Sequence, residues 1–561
     1  MPNFTTKQGA LFYCYAPPAE QLAKIDKWLS VLDQSGVANL LGQRFSEKAF
    51  GRPGLNPLAM FATILFGFAF GSQSLRELET SCKYDLRFIY LMNGDQPDYS
   101  TFSKFINKII KPQAEEIFAR TVVSYLQTCH LDLEECHIDG TKFEAKPNKY
   151  KVVWKPIAFQ QRLSDKIRSL LMDLNLSRGV PAEGIISSSL LAKKIIEADD
   201  ILSSANPENN KILKKKINNL TIYLSKTIEY EEKIQICGEN RNSYYKTDHD
   251  ATAMCLKEDY YSGLGSNMHA AYQMQTIVCH GFVVAYYVSQ DRADMHTFIP
   301  TLERFRAMYG RHPTRLTADS GYGCLDNYVY CKRNNIEAFI KYLSWQGESS
   351  ARRPALYELK SDNTILCLGQ RIGHPIKVPG RHHKIKSSEF FKIECDPDCA
   401  FMPYCRARLK EEFGTERIFE ISIEYQKLKQ EARDRLLSVK GIEMRVNRSC
   451  QIEGLYGIAK HNIGYNRIRR TGMANVAVEY MLVLLGLNTR KLFRYFDGKT
   501  DFSYWKAPEG LLPQEFKKPS AKRLANRARK AKKKSSNEIA SDSYRYKFKR
   551  KKKGIDSVTQ T

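Results

Sequence analysis

The sequence predicts an α/β protein with a mixed sheet, preceded by an all-helical segment, and three observations carry that prediction. Apolar residues from about position 18 to 130 recur at helical spacing, as in Gln21–Leu32 and Ile117–Leu126, without strand-like alternation. Two β-rich runs, Ala271–Cys279 and Phe282–Ser289, flank the pair His280-Gly281, a hairpin signal. Two further strand patterns each carry an acid, Asp139 and Asp319, with the hairpin and a helix pattern over Asp294–Tyr309 between them. Strands alternating with helices around a hairpin make a mixed sheet.

In chain order, the turn cluster Phe50-Gly51-Arg52-Pro53-Gly54 precedes a helix through the apolar run Leu58–Phe70. Ser74 with Glu77 three residues on is a capping box that starts a helix at Leu75. Asp98-Tyr99-Ser100-Thr101 repeats the signal before a helix over Phe102–Ile110. Short helices joined by tight turns suit a helix-turn-helix-like DNA-binding module and equally a plain helical bundle. Cys136–Ala145 reads as a strand with Asp139 inside it, and 160–235 as a long, charged helical insertion. Arg315–Ala318 is a strand ending at Asp319 and a glycine turn, Glu337–Tyr342 another strand, and Arg448–Arg490 a helix carrying Glu453 in its first part.

The chain has 561 residues, 87 Lys+Arg against 61 Asp+Glu, and a net charge of +26. That excess predicts a polyanionic partner, nucleic acid before membrane. The longest uncharged apolar run, Leu58–Phe70, is 13 residues, short of the ~20 a bilayer requires. The N-terminal residues are polar, with no signal-peptide core, and 14 scattered cysteines suit a reducing compartment better than a disulfide framework. From Lys517 to Thr561, 17 basic residues face three acids. A segment so poor in large apolar side chains predicts a disordered arm lying along phosphates, with a solvated solubility tail as the alternative.

Asp139 in a strand, Asp319 at a strand end and Glu453 on a late helix are candidate ligands for divalent cations. Two-metal phosphoryl transfer needs convergent oxygen ligands, and an acid inside an apolar strand is costly unless paired or metal-bound. Taken singly, each acid is equally a hydrogen-bonded structural residue or a solvated one.

The segments around these acids resemble the DDE insertion-sequence transposases, in the subgroup with an InsH-like helical N-terminal domain. The resemblance runs from about Phe50 to Phe493. Its blocks are Phe50–Gly54 through Asp98–Phe102; Ile138-Asp139-Gly140-Thr141-Lys142 with Asn148-Lys149-Tyr150 and Trp154; Thr247-Asp248-His249-Asp250-Ala251; and Ala318-Asp319-Ser320-Gly321-Tyr322. The most specific is Arg445-Val446-Asn447-Arg448-Ser449-Cys450-Gln451-Ile452-Glu453-Gly454, then Tyr456–Lys460, Arg469–Gly472 and Asn488. Where the family usually has Tyr-Asn-x-Gln, this chain has Tyr272-Gln273-Met274-Gln275, which retains an amide.

The resemblance implies an RNase H-like core in which Asp139, Asp319 and Glu453 hold two Mg²⁺ ions, with Mn²⁺ as a substitute. Lys460, seven residues and two helical turns past Glu453, falls on the same face of an α-helix. Lys460, Arg448, Arg469 and Arg470 are candidate phosphate contacts, with ion pairing to neighbouring acids as the alternative for Lys460 and Arg448. Cys367, Cys395, Cys399 and Cys405 are a candidate structural Zn²⁺ site, although the spacing favours reduced thiols. The expected organisation is a helical DNA-binding domain over 1–130, a catalytic domain over 131–500 with a helical insertion (about 155–245) and a Cys-containing insertion (about 343–437), and a basic disordered tail over 501–561. The expected partners are the double-stranded DNA of the element's terminal inverted repeats and of the target. A homodimer in the active complex and a bacterial, cytoplasmic, nucleoid-associated location complete the expectation.

The function so implied is a transposase that binds its element's ends, cleaves them and joins the 3′-hydroxyls to target DNA. The rival readings are a catalytically silent DNA-binding derivative and a nuclease that only hydrolyses. End recognition is expected within 1–130, near the capping signals at Ser74 and Ser100, where Arg76 and Lys104 are candidate base readers. Pairing of Arg76 with Glu77 or Glu79 is the alternative.

Overall fold

The computed structural model describes residues 19–516 except 44–53, 72–73, 204–209, 240, 257–267, 352–354, 379–387, 397–398, 402–404 and 406–415, together with scattered positions from 520 to 529. The turn cluster at 50–53 and most of the basic tail thus lie outside the described residues.

The N-terminal helices follow their capping chemistry. Asn56 accepts the N–H groups of Leu58 and Ala59 and starts the Pro57–Phe70 helix. Ser74 and Glu77 close the capping box reciprocally, at 3.2 and 3.1 Å. The next helix is Tyr99–Phe105, earlier than expected, because Asp98 rather than Ser100 is its cap: the carboxylate takes the Thr101 N–H at 2.6 Å, and the Ser100 hydroxyl donates to Asp98. An anion suits the positive end of a helix better than a hydroxyl does. Pro57–Phe70 is a core helix, buried over most of its length, and no single described helix is long and apolar enough to cross a membrane.

These helices share one hydrophobic core with the central sheet and the Met473–Phe496 helix, so the expected boundary at 130 does not separate two cores. The reason is the Met473–Phe496 helix, which lies against Pro57–Phe70 and covers its apolar surface. At Gly486 the two helices come so close that a Cβ would stand 2.6 Å from Phe68 Cβ and 2.9 Å from its backbone. Phe493 packs its ring against Trp28, Phe66 and Phe70 at 5.3–5.9 Å. Trp28 donates to the Tyr125 hydroxyl at 2.7 Å, which in turn meets Thr489 at 2.9 Å.

The central sheet is mixed. β1 is Glu135–Glu144, with the short β2 (Val152–Trp154) and β3 (Ser243–Tyr245) following it, then β4 (Thr252–Cys255), β5 (Met268–Cys279), β6 (Phe282–Ser289), β7 (Arg315–Ala318) and β8 (Glu337–Ile340). The order is β4-β5-β1-β7-β8, with β6 also on β5; β1 is antiparallel to β5 and parallel to β7, and β7 is parallel to β8. This arrangement is consistent with an RNase H-like core. The β5–β6 hairpin turns through His280 and Gly281, both at positive φ (49° and 75°), the geometry that matches strand twist.

Two insertions carry separate cores. The pair β2–β3 leads to three helices, Ile157–Asp173, Ser188–Ser203 and Asn210–Cys237, which pack around Ile167, Leu171, Leu191 and Leu220. After β8, five antiparallel strands, β9 (Tyr357–Leu359), β10 (Ile365–Cys367), β11 (Ile372–Ile376), β12 (Ser388–Glu394) and β13 (Glu416–Ser422), enclose Ile365, Phe391 and Ile393.

Two expectations need correction. The helix expected over Arg448–Arg490 is broken: Val439–Arg448 runs into wide π turns at Ser449–Glu453 and Ile458–Asn462 around one α turn, then an irregular stretch precedes Met473–Phe496. Gly464 and Gly472, at φ 72° and 82°, take a backbone conformation that no α-helix continues through. The tail expected from 501 is ordered through 516: Phe502 is buried, the Gln514 N–H donates to the Leu437 carbonyl, and Phe516 packs on Trp345 at 4.9 Å. Residues 501–516 hold Phe502, Tyr504, Trp505 and Phe516, enough apolar surface to dock.

Candidate active site

The sheet brings the three acids together from distant parts of the chain. Asp139 sits in mid-β1, and Asp319 follows the end of β7, the strand parallel to β1. Glu453 lies in the first wide turn after the Val439–Arg448 helix. At their centre is Arg448, only 7% exposed: its guanidinium reaches Asp139 at 3.1 Å, Asp319 at 3.8 Å and Glu453 at 3.8 Å. The acids open progressively to solvent, with side-chain exposures of 23%, 47% and 61%.

Their electrostatics diverge. Burial pushes the Asp139 carboxyl above the ordinary range and the charges of Asp319 and Asp294 add to this, against the pull of Arg448 and the Gly140 N–H. Burial also acts to raise Asp319, but Lys341 (3.3 Å), Arg448 and the Ser320 N–H together hold it below its ordinary value. Paired acids pushed apart by their surroundings are a functional-site signature.

The surroundings hold the acids in place. The Tyr456 hydroxyl donates to the Asp139 carbonyl at 2.9 Å and meets Thr276 at 3.0 Å, tying the Glu453 segment to β1. Asp294 is a fourth carboxylate beside the trio, held by the side-chain amides of Gln273 and Gln275. It lies against Gly140 and Gly321, and a Cβ on Gly140 would strike both Gln275 and Asp294. The two glutamines are the amides of the Tyr272–Gln275 segment. Sequence reading missed Asp294, Lys341 and Tyr456; the only local signal was an amide on alternate residues of β5, pointing to one face.

The donor set fits a hard divalent cation. Three carboxylates from three segments crowd around one positive group, and all their donor atoms are oxygen.

Two family models match the chain: a transposase DDE domain over residues 371–493 and a transposase domain (DUF772) over residues 12–108. The two matches support a DDE-type insertion-sequence transposase. No curated protein and no solved structure matches it. The DDE match includes Arg448, Glu453 and Lys460 but begins after Asp139 and Asp319, so those two rest on the geometry above.

In the transposase, the four candidate phosphate contacts stand in different surroundings. Arg448 pairs with the acids. Lys460 donates to the Lys142 carbonyl at 3.0 Å and lies over the Phe143 ring, three and four residues along β1 from Asp139. The two-turn argument for a face shared with Glu453 assumed α geometry, whereas both residues sit in π turns. Arg470 binds Asn107 at 2.7 Å, a link to the N-terminal helices, while Arg469 is exposed and gives its main-chain N–H to Glu479. Asp248 and Asp250, from the block before the hairpin, accept the N–H groups of Gly472 and Met473 and fix the start of the last long helix. Arg76 lies over the Tyr99 ring at 5.0 Å.

Cys367, Cys395, Cys399 and Cys405 line one cavity of about 290 Å³ in the β9–β13 unit. The Arg371 N–H donates to Cys367 Sγ at 3.3 Å, and burial raises the Cys395 thiol and pushes Cys405 up to about 11. Among the described residues, the set of metal-ligating groups lying within 4.8 Å of one another is Asp132, Cys279 and His280; neither the four thiols nor the three acids around Arg448 meet that closely.

Proposed function

We propose that this transposase binds the terminal inverted repeats of its insertion sequence, cleaves the DNA there, and joins the resulting 3′-hydroxyls to target DNA. The observation that carries the reading is the convergence of Asp139, Asp319 and Glu453 on one guanidinium. Asp139, Asp319 and Glu453 would hold Mg²⁺, two ions in the full reading, and the metal would supply Lewis-acid stabilisation of the charge that develops on phosphoryl oxygens. The chain's own residues do the positioning. Tyr456 and the β1–β7 pairing fix the spacing of the acids, the open side at Glu453 admits the strand, and Lys341 beside Asp319 places a cation near the incoming phosphate. The family's general use of DNA, the net charge of +26 and the basic C-terminal segment support nucleic acid as the partner.

The test uses labelled duplexes carrying the element's ends, taken from the DNA that flanks the gene. Asp139→Asn, Asp319→Asn and Glu453→Gln should each abolish strand cleavage and strand joining, with end binding kept within a few-fold, because they remove transition-state stabilisation and leave phosphate contacts intact. Cleavage at near wild-type rate in any one variant would refute that residue's assignment.

A further inference from the structure

The segment that carries Glu453 has a second side. Behind it lies a cavity of about 330 Å³, walled by Cys450, Gly454 and Leu455 of that segment, the Gly281 turn of the β5–β6 hairpin, and Tyr504 from the ordered 501–516 stretch. Three cations of the Met473–Phe496 helix, Arg490, Lys491 and Arg494, also line it, and no carboxylate does.

Lys491 is the deepest of the three. Its ammonium meets the Tyr504 hydroxyl at 2.9 Å and the faces of Phe502 and Tyr504. None of the three cations has a carboxylate within ion-pair distance among the described residues. Asp501, close along the chain, directs its carboxylate to Ser503 instead. Burial, with repulsion from Arg494, pushes Lys491 down to about 8. The hairpin glycine, required by its φ of 75°, also lies close to this group: a Cβ at 281 would meet the Lys491 ammonium and the Tyr504 hydroxyl. A desolvated ammonium crowded by a second cation and without a counter-ion is costly to the fold, and an anion in the cavity would offset that cost.

We infer that this cavity is an anion site for a phosphate group, held by Lys491 and Arg494 with the Tyr504 hydroxyl as a further donor. A phosphate offers several acceptor oxygens to these donors, and a cleft lined by charge of one sign focuses the field of clustered cations. The group can come from the DNA backbone or from a free phosphate-bearing molecule; the anion chemistry stands on the cavity alone, while the DNA source rests on the proposed transposase reaction. An anion there would sit directly behind the segment that presents Glu453.

The experiment melts the full-length protein at pH 7 in sodium phosphate and in sodium chloride of matched ionic strength, for wild type, Lys491→Met, Arg494→Gln and Lys491→Arg. The wild type should show a phosphate-specific rise in Tm that saturates with concentration. Lys491→Met and Arg494→Gln should lose most of that rise, and Lys491→Arg should keep it. The basic tail is present in all four proteins and cancels from the comparison. Absence of the rise in the wild type, or the same rise in all four, overturns the site. Binding of a labelled duplex against salt then identifies the source. A slope of log K against log salt lower by about 0.9 in each charge-removing variant assigns the site to DNA phosphate; an unchanged slope beside a lost thermal response assigns it to a free phosphate-bearing ligand. Failure of strand cleavage would refute the reaction and leave the thermal result untouched.

Discussion

Replacing Arg448 by Met should destabilise the protein in the absence of divalent cations, and the added cation should restore much of the loss. The guanidinium makes three ion pairs, at 3.1, 3.8 and 3.8 Å. A unit pair at about 4 Å is worth roughly 4 kcal/mol at an effective dielectric near 20, and a fully exposed one about 0–1 kcal/mol. Asp319 and Glu453 are 47% and 61% exposed and fall near the lower figure, so the Asp139 pair, with exposures of 7% and 23%, dominates. Removing one partner of a buried pair costs about 3–5 kcal/mol. Asp139 is partly solvated and can take up a proton, which caps the loss, so about 2–3 kcal/mol is expected at neutral pH. Thermal melts followed by circular dichroism, with and without about 10 mM Mg²⁺, measure it. The variant should start lower than wild type and gain more from Mg²⁺ than wild type does, because the metal replaces the missing positive charge among the carboxylates. An equal deficit with and without Mg²⁺ would refute the idea that these acids form a cation site, and no deficit at all would refute the central place given to Arg448.

Three further outcomes follow from other parts of the molecule. Gly486→Ala should cost about 1–3 kcal/mol in urea unfolding, because its Cβ would meet Phe68 at 2.6 Å where two helices touch; an unchanged midpoint would mean that the N-terminal helices are not docked as described. Lys491, held at about 8 when folded against an ordinary 10.5, binds fewer protons in the folded than in the unfolded state between those values, so its contribution to stability rises with pH across that window. Lys491→Met should therefore be more stable than wild type at pH 7, by up to about 2–3 kcal/mol in phosphate-free buffer, with the difference closing as pH approaches 10; a constant difference would show that the lysine is not desolvated. Truncation before Lys517 removes 17 basic residues, and if six of them meet phosphates the salt slope of DNA binding should fall by about five units; an unchanged slope would leave the tail a solvated one.

What the sequence alone determined is what short-range chemistry decides. The capping box at Ser74–Glu77, the core helix through Leu58–Phe70 and the two-residue turn at His280-Gly281 stand where local propensity put them, since each depends on residues within a few positions of one another. Asp139 stood out for a related reason, since a carboxylate inside a β-rich run is costly to bury, whereas Asp319 and Glu453 were singled out by the resemblance of their flanking segments. Arg448 was visible as a residue, but the choice between a phosphate and a carboxylate partner was not. Its partner Asp139 is 309 positions away, and whether a cation meets a phosphate or a carboxylate depends on what the fold sets beside it. The clamp on Asp294 is likewise built between strands and could not be read from either one. Spacing arguments failed where the helix widened: a seven-residue step marks one face of an α-helix, and the π turns around Glu453 and Lys460 change that register. The shared core was hidden for the same reason as Arg448. An apolar helix face announces that it must be covered, and only the tertiary structure decided that the cover for Pro57–Phe70 is a helix more than 400 residues on, because the hydrophobic effect rewards buried area without specifying the partner.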